Sequence, residues 1–175
     1  VTGYYDHFLL HLYEMKNHPD YNQYLSDWQT YILPFIRNPY LKKPNLYFEN
    51  PAFRDHVLTE WESFGGFLKI PFQEAFEETA YATSLLRNRM MNELFHEAVP
   101  VILHNDDLNA MFYSVENRTP YLDSKLCDFA YTIPAEFLIK EGFGKYILRE
   151  AAKGFLNEKV RLDRRKRGFN ASIHS

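Results

Sequence analysis

Apolar residues recur at the spacing of an α-helix along most of the chain, and this periodicity constrains the fold more than any other feature. In the first stretch Tyr5, Phe8, Leu9 and Leu12 fall on one helical face. The proline of "NHPD" then ends the pattern, because proline lacks the backbone N–H that a helix needs. No alternating pattern is long enough for a strand of more than a few residues. The sequence therefore predicts an all-α fold in a single domain over residues 1–175.

Further helices are predicted between segments rich in proline and glycine. One helix is expected from Tyr21 to Ile36, followed by a loop with three prolines over 37–51. Another is expected over 52–61, before the two glycines of "SFGGF". A long helix is predicted from Gln73 to Ala98, and Pro100 would restart or kink it toward Met111.

Two shorter helices near the C-terminus carry apolar faces that we expect to be buried. Asp123 or Ser124 caps the first, and Pro134 ends it. The second opens near Lys145 and meets Gly154 at its C-terminal end. The predicted core residues of the two helices are Leu126, Phe129, Ala130 and Ile133, and Ile147, Leu148, Ala151 and Phe155.

Composition excludes several classes of protein. With 46% hydrophobic and 25% charged residues, the chain has enough apolar material to fold. Its net charge of -3 gives no general attraction to nucleic acid or to an anionic membrane, so we expect neither as a partner. No apolar run reaches the length of a membrane span. Cys127 is the only cysteine, which rules out an intrachain disulfide and favours the cytoplasm.

Two patterns that can signal a metal or nucleotide site lack essential residues. His7 and His11 are four residues apart on one helix, but the acidic residue of a zinc-protease motif is missing, so no metal site is predicted. "EGFGKY" contains Gly-Lys without the remaining residues of a Walker A loop. Neither pattern assigns a function.

Lys145 and a basic cluster near the C-terminus carry positive charge in unusual places. A lysine in the first turn of a helix opposes the helix dipole, and a bound anion such as phosphate would reverse that cost. A solvated surface lysine is the alternative. The cluster over 161–169, "RLDRRKRGF", is either a solvated tail or a basic arm that closes on a polyphosphate. A nucleic-acid arm is a third and weaker hypothesis, which a steep salt dependence of binding would reveal.

Glu116 and Arg118 lie two residues apart before Pro120, so in an extended segment both side chains point the same way. One interpretation is a buried ion pair that pins the loop. The other is a charged pair that orients a substrate. The residues alone do not decide between them.

Three segments, "DDLNAMFYSVENRTPYLD", "GKYILREA" and "RRKRGF", together resemble successive motifs of the synthetase domain of glutamine-hydrolysing asparagine synthetases. "TGYYDHF" is similar to the residues that follow the family's pyrophosphate loop. Leu108 stands where the family usually has arginine. The matching positions are Asp107, Met111, Ser114, Glu116, Arg118, Pro120, Leu122 and Asp123, then Lys145, Leu148 and Arg149, then Arg164, Lys166 and Phe169.

The resemblance implies a fold and a reaction. The chain would be the helical C-terminal portion of an adenine nucleotide α-hydrolase-like (PP-loop) synthetase domain, whose parallel sheet lies mostly upstream. The reaction would use ATP, Mg2+ with ligands upstream of this chain, aspartate, and glutamine-derived ammonia from an N-terminal glutaminase domain, and a homodimer is compatible with it. This chain alone is expected to be inactive. The alternatives are a helical interaction module without the chemistry, and a relative that amidates another carboxylate, such as a sugar acid.

The resemblance also implies roles for individual residues. Lys145 would be catalytic, as the cation that meets the phosphates or the departing pyrophosphate. Glu116 and Arg118 would brace the loop beside the substrate. The residues expected in the vicinity of the substrate or ATP are Asp107, Glu116, Arg118, Arg149, Arg164 and Lys166.

Overall fold

The computed structural model describes residues 4–57 and 77–164, which form two compact units. The first unit combines residues 4–57 with 135–164, and the second unit comprises residues 77–134. The expectation of a single domain over 1–175 stays a prediction. In the described residues no helix is both long and apolar enough to cross a membrane.

Helices dominate the described part of the chain, and one short hairpin is the exception. The helices are α1 (Tyr5–Glu14), α2 (Tyr21–Tyr31), α3 (Leu46–Glu49), α4 (Leu85–Phe95), α5 (Ala98–Phe112), α6 (Ser124–Thr132), α7 (Tyr146–Ala151) and α8 (Glu158–Arg161). The strands are β1 (Ile139–Lys140) and β2 (Phe143–Gly144). Short 3-10 turns cover Leu33–Phe35, Tyr40–Lys42, Asp55–Val57, Pro120–Leu122 and Ala135–Phe137.

The core of the first unit is built on α1, which packs against α2 and α3. Phe8, Leu9 and Leu12 of α1 are buried, as the helical spacing predicted, and Leu10, which lies outside the predicted face, is buried as well. Full burial of one such side chain contributes about 1.5–3 kcal/mol to folding. Across the described residues, every buried apolar side chain except Leu86 belongs to this unit.

The hairpin of β1 and β2 brings the C-terminal part of the first unit back onto α2. Lys140 pairs with Phe143 across a two-residue loop, Glu141–Gly142. Both loop residues have positive φ, 54° and 72°, as a type I′ turn requires. A Cβ atom on Gly142 would lie 2.6 Å from Cβ of Tyr31, so only glycine fits at this contact.

The second unit begins with an irregular segment instead of the predicted helix. Asn92 of α4 holds this segment, because its Oδ1 accepts from the amide of Thr79 at 2.9 Å and its Nδ2 donates to the Thr79 carbonyl at 2.9 Å. Oγ of Ser84 then caps α4 by accepting from the amide of Arg87. The helix predicted from Gln73 is therefore wrong over 77–84, where side-chain amides replace helical partners. Residues 73–76 lie outside the described residues.

Three other predicted boundaries change. Helix α2 ends at Tyr31 and not at Ile36, since Pro34 has no amide hydrogen to continue the helix. The predicted loop over 37–51 contains the short helix α3. The helix predicted over 52–61 is only the 3-10 turn Asp55–Val57 where it is described, and its remainder lies outside the described residues.

Helices α6 and α7 form where expected, but their apolar faces are not buried. Asp123 caps α6 by accepting from the amide of Leu126 at 3.1 Å, as predicted. Phe129, however, is 63% exposed, and Phe155, beyond α7, is 93% exposed. The predicted burial is wrong for the same reason in both helices: a period of 3.6 residues identifies an apolar face without saying what covers it. The other predicted core residues of these helices are also exposed or only half-buried: Leu126, Ala130, Ile133, Ile147, Leu148 and Ala151.

Candidate functional site

Lys145 connects β2 to α7 and has a backbone conformation that lysine rarely adopts. Its φ of 58° and ψ of 35° are left-handed, which costs a residue with a Cβ atom roughly 1–2 kcal/mol. It stands at the N-cap position of α7, one residue before the first turn in which the sequence placed it. Its side chain is exposed. The structure thus holds the predicted catalytic lysine in a strained backbone at the end of the hairpin.

Arg149 of α7 is half-buried and points back toward the hairpin. Its Nε donates to the carbonyl oxygen of Gly144 at 3.0 Å, and its Nη1 donates to the carbonyl oxygen of Arg161. Its guanidinium carbon lies 5.3 Å from the centre of the Phe143 ring. Burial lowers the pKa of Arg149, while the Asp163 carboxylate opposes that change.

Arg164 lies against the same hairpin. Its guanidinium carbon is 4.1 Å from the centres of both the Tyr31 and Phe143 rings. Its Nε donates to the carbonyl oxygen of Glu141 in the turn at 3.1 Å. Stacking of this kind favours arginine, whose planar cation is attracted to aromatic faces. Arg164 therefore joins the hairpin turn to α2.

Arg161, the first residue of the basic cluster over 161–169, has a structural role that the sequence did not predict. It is buried, and Glu158 accepts from its Nε and Nη2 at 2.8 Å each. Glu150 accepts from its Nη1 at 2.9 Å. Hydrogen bonding to Glu158 raises the pKa of Arg161, and the same bond lowers the pKa of Glu158. The spacing of Glu158 and Arg161, three residues apart on one helix, was the signal that could have identified the pair.

The candidate residues of the second unit are exposed. Asp107 lies on the surface of α5. Arg118 donates to the carboxylate of Glu116, so the predicted ion pair forms. The two side chains are 81% and 73% exposed, however, so the interpretation of a buried pair is wrong. Every residue from Met111 to Pro120 is exposed, which explains why this loop buries no charge.

Ser114 adds a second left-handed residue within the motifs. With φ of 56°, it follows α5 at the position that glycine usually occupies. The amide of Val115 donates to the Ala110 carbonyl, and the amide of Ser114 donates to the Met111 carbonyl, which together form a Schellman motif. A serine without a glycine neighbour gives no sequence signal for this conformation.

A protein-family model described as asparagine synthase matches residues 12–175 of the chain. The chain belongs to the asparagine synthase family. The resemblance drawn from the motifs is thereby confirmed. One curated relative is asparagine synthetase [glutamine-hydrolyzing] 1 of Bacillus subtilis, which is 44% identical over 72 residues. The aligned segment amounts to 41% of this chain and 11% of that relative. No solved structure matches the chain.

Within this member of the asparagine synthase family, the hairpin is where the motif cations of the first unit meet. Lys145 ends the hairpin, and Arg149 and Arg164 both bind backbone carbonyls of the hairpin and its turn. Lys166 lies outside the described residues. In the basic cluster over 161–169, Arg161 and Arg164 form hydrogen bonds within the first unit, and each does so through its guanidinium group.

Proposed function

We propose that this chain forms the helical part of a synthetase domain that makes asparagine from aspartate. The observation that carries the proposal is the family match over residues 12–175. The fold expected for the complete domain is PP-loop-like, with its parallel sheet mostly upstream of this chain. A glutaminase domain would supply ammonia.

The proposed reaction has two steps. An oxygen of the aspartate side-chain carboxylate attacks the α-phosphorus of ATP, and the bond from that phosphorus to pyrophosphate breaks. Ammonia then attacks the acyl carbon, loses a proton, and displaces AMP, which carries away the carboxylate oxygen. Pyrophosphate leaves with high negative charge, so a preorganised cation at its position lowers the barrier of the first step.

Lys145 is the residue that we assign to the departing pyrophosphate. Its side chain is exposed, and its backbone is held in a strained conformation of the kind that clusters at functional sites. Arg149, Arg164 and Lys166 would lie in the vicinity of the nucleotide. In the second unit, Asp107 would be near the substrate, and the exposed pair of Glu116 and Arg118 would brace the loop beside it.

The basic side chains around the hairpin are not ligands for a metal. Mg2+ takes oxygen ligands, whereas Lys145, Arg149 and Arg164 present only protonated nitrogen. The magnesium ligands are expected upstream of this chain, as the family resemblance implies. When bound, the ion would offset charge on the phosphates of ATP.

The test is pyrophosphate release by the full-length protein with ATP and aspartate. Lys145→Ala is expected to lower the rate by about 10²–10³, the usual effect of removing one preorganised charge from a transition state. Lys145→Arg is expected to restore only part of the rate, because a planar fork replaces a compact ammonium. Lys42→Ala, which removes an exposed lysine from the first unit, is the matched control and should leave the rate unchanged.

Three outcomes would contradict the proposal. Near wild-type turnover in Lys145→Ala would leave the pyrophosphate without its assigned cation. No pyrophosphate release by the wild-type protein with aspartate, but release with a sugar acid, would assign another acceptor carboxylate. No release with either substrate would favour an interaction module that lacks the chemistry.

A further inference from the structure

Arg149 binds the backbone on both sides of Lys145. Its side-chain Nε donates to the carbonyl oxygen of Gly144 at 3.0 Å, and its amide donates to the carbonyl oxygen of Lys145 at 3.1 Å. The amide of Tyr146 donates to the Leu138 carbonyl at 3.0 Å. These bonds fix the peptide groups before and after Lys145. They can hold the left-handed conformation against its intrinsic cost.

The rest of the Arg149 guanidinium also faces protein. Its Nη1 donates to the carbonyl oxygen of Arg161, and the group lies over the Phe143 ring. Arg161 is in turn held by Glu150 and Glu158. A guanidinium that binds two backbone carbonyls in a fixed geometry acts as a brace between α7, α8 and the hairpin. This geometry argues against a primary role in binding phosphate directly.

We propose that Arg149 is a positioning residue that acts through Lys145, a role that rests on the proposed function of Lys145. Arg149 fixes the left-handed backbone from which the Lys145 ammonium reaches the departing pyrophosphate. The planar fork of arginine spans the carbonyls of Gly144 and Arg161 at once. The compact ammonium of lysine cannot span both, although it keeps the positive charge.

The experiment compares Arg149→Lys, Lys145→Ala and the double variant in the full-length protein, with pyrophosphate release as the readout. Arg149→Lys is expected to lower kcat about tenfold and to change KM for ATP less than about twofold, because an interaction specific to the transition state is weakened. The double variant is expected to match Lys145→Ala, since residues that act as one unit are not additive. Arg37→Lys, at an exposed arginine of the first unit, controls for the exchange itself.

Hydrogen exchange gives a readout that does not depend on catalysis. The amide of Tyr146 is expected to exchange about tenfold faster in Arg149→Lys, because its local opening is no longer opposed by the brace. In Lys145→Ala the exchange should stay close to wild type, since alanine keeps the same backbone bonds. If Arg149→Lys does not fold, Arg149→Gln replaces it in both measurements, because glutamine keeps a planar donor but cannot span both carbonyls.

The outcomes separate the two proposals. Wild-type turnover in Lys145→Ala overturns the proposed function of Lys145. An impaired Lys145→Ala beside a fully active Arg149→Lys overturns the positioning role and leaves the proposed function standing. The positioning role is also overturned if the double variant has a lower kcat than Lys145→Ala by the whole factor that Arg149→Lys causes alone. Arg149 would then act independently of Lys145. Unchanged exchange of the Tyr146 amide in Arg149→Lys contradicts the brace itself.

Discussion

The two units use apolar helices in opposite ways. In the first unit, α1 buries Leu9, Leu10 and Leu12 in a core shared with α2 and α3. In the second unit, α5 has no buried residue, although its sequence is at least as apolar, and Phe112 is 81% exposed. The comparison shows that an apolar helical pattern in the sequence predicts the presence of a helix more reliably than it predicts the burial of that helix. It also predicts that the same substitution has different costs in the two units.

The largest difference is expected for leucine to alanine. Leu9 is fully buried in α1, so Leu9→Ala should lower the free energy of unfolding by about 2–5 kcal/mol through lost burial and a cavity. Leu108 on α5 is 56% exposed, and Leu108→Ala should change the free energy by less than about 0.5 kcal/mol. Denaturant titration of both variants measures the difference. Equal costs would mean that Leu108 is buried in the folded protein.

A buried histidine in the first unit makes its stability depend on pH. Burial lowers the pKa of His11 to about 4; the hydrogen bond to the Ala135 carbonyl opposes this change, and the electrostatic interaction with His18 adds to it. In the unfolded state His11 therefore binds a proton near pH 6.5, whereas in the folded state it stays neutral until the pH falls to about 4. Stability from this group is complete above pH 6.5 and falls by about 3 kcal/mol as the pH drops to 4.

The matched variant for this effect is His11→Gln. Nε2 of His11 donates to the carbonyl oxygen of Ala135 at 3.1 Å, and a glutamine amide can donate to the same oxygen without titrating. Urea titrations at intervals between pH 7 and pH 4 should give a flatter pH dependence for the variant than for the wild type. Parallel curves would show that His11 titrates normally and is not the origin of the effect.

Much of the first unit follows from its sequence, and the reasons are local. The spacing of Tyr5, Phe8, Leu9 and Leu12 predicts α1 and its buried face, and the proline after it marks the end. The hairpin was missed, although Glu141 and Gly142 between Ile139 and Phe143 carry the glycine that a two-residue turn requires. The irregular segment over 77–84 had no comparable signal, because it depends on side-chain amides of α4, farther along the chain.

The sequence predicted which residues belong to the candidate site but not which atoms they contact. The motifs identified Lys145, Arg149 and Arg164, and the structure brings all three to the hairpin. What the motifs could not predict is that Arg149 and Arg164 bind backbone carbonyls. A carbonyl is present at every residue, so a partner of this kind leaves no trace in the sequence. For Glu116 and Arg118, the spacing predicted the pair correctly, but burial depends on neighbours that spacing does not encode.

Residues with a left-handed backbone allow a further test, in which a substitution is expected to raise the free energy of unfolding in one unit and to lower it in the other. The expected effects are smaller than those above. Ser114 of the second unit has φ of 56°, and Ser114→Gly should raise the free energy of unfolding by about 0.5–1 kcal/mol as backbone strain is relieved. Gly154 of the first unit has φ of 82° in open space, so Gly154→Ala should lower it by a similar amount, about 0.5–1 kcal/mol. Melting curves of both variants measure these changes. A loss of stability in Ser114→Gly would mean that the Ser114 side chain makes a compensating contact.

The smallest effect is expected for the ion pair of the second unit. Glu116 and Arg118 are bonded but exposed, and exposed pairs of this kind contribute little after solvent screening, so Glu116→Ala should cost less than about 0.5 kcal/mol. Glu158→Ala in the first unit should cost more, because it removes two hydrogen bonds from the buried Arg161. A double-mutant cycle on Glu116 and Arg118, repeated at high salt, isolates the pair itself: its small coupling should shrink further as ions screen it. A coupling that persists at high salt would mean that the pair is shielded from solvent in the folded protein. A Glu116→Ala cost as large as that of Glu158→Ala would mean the same. Either result would support the interpretation of a buried ion pair.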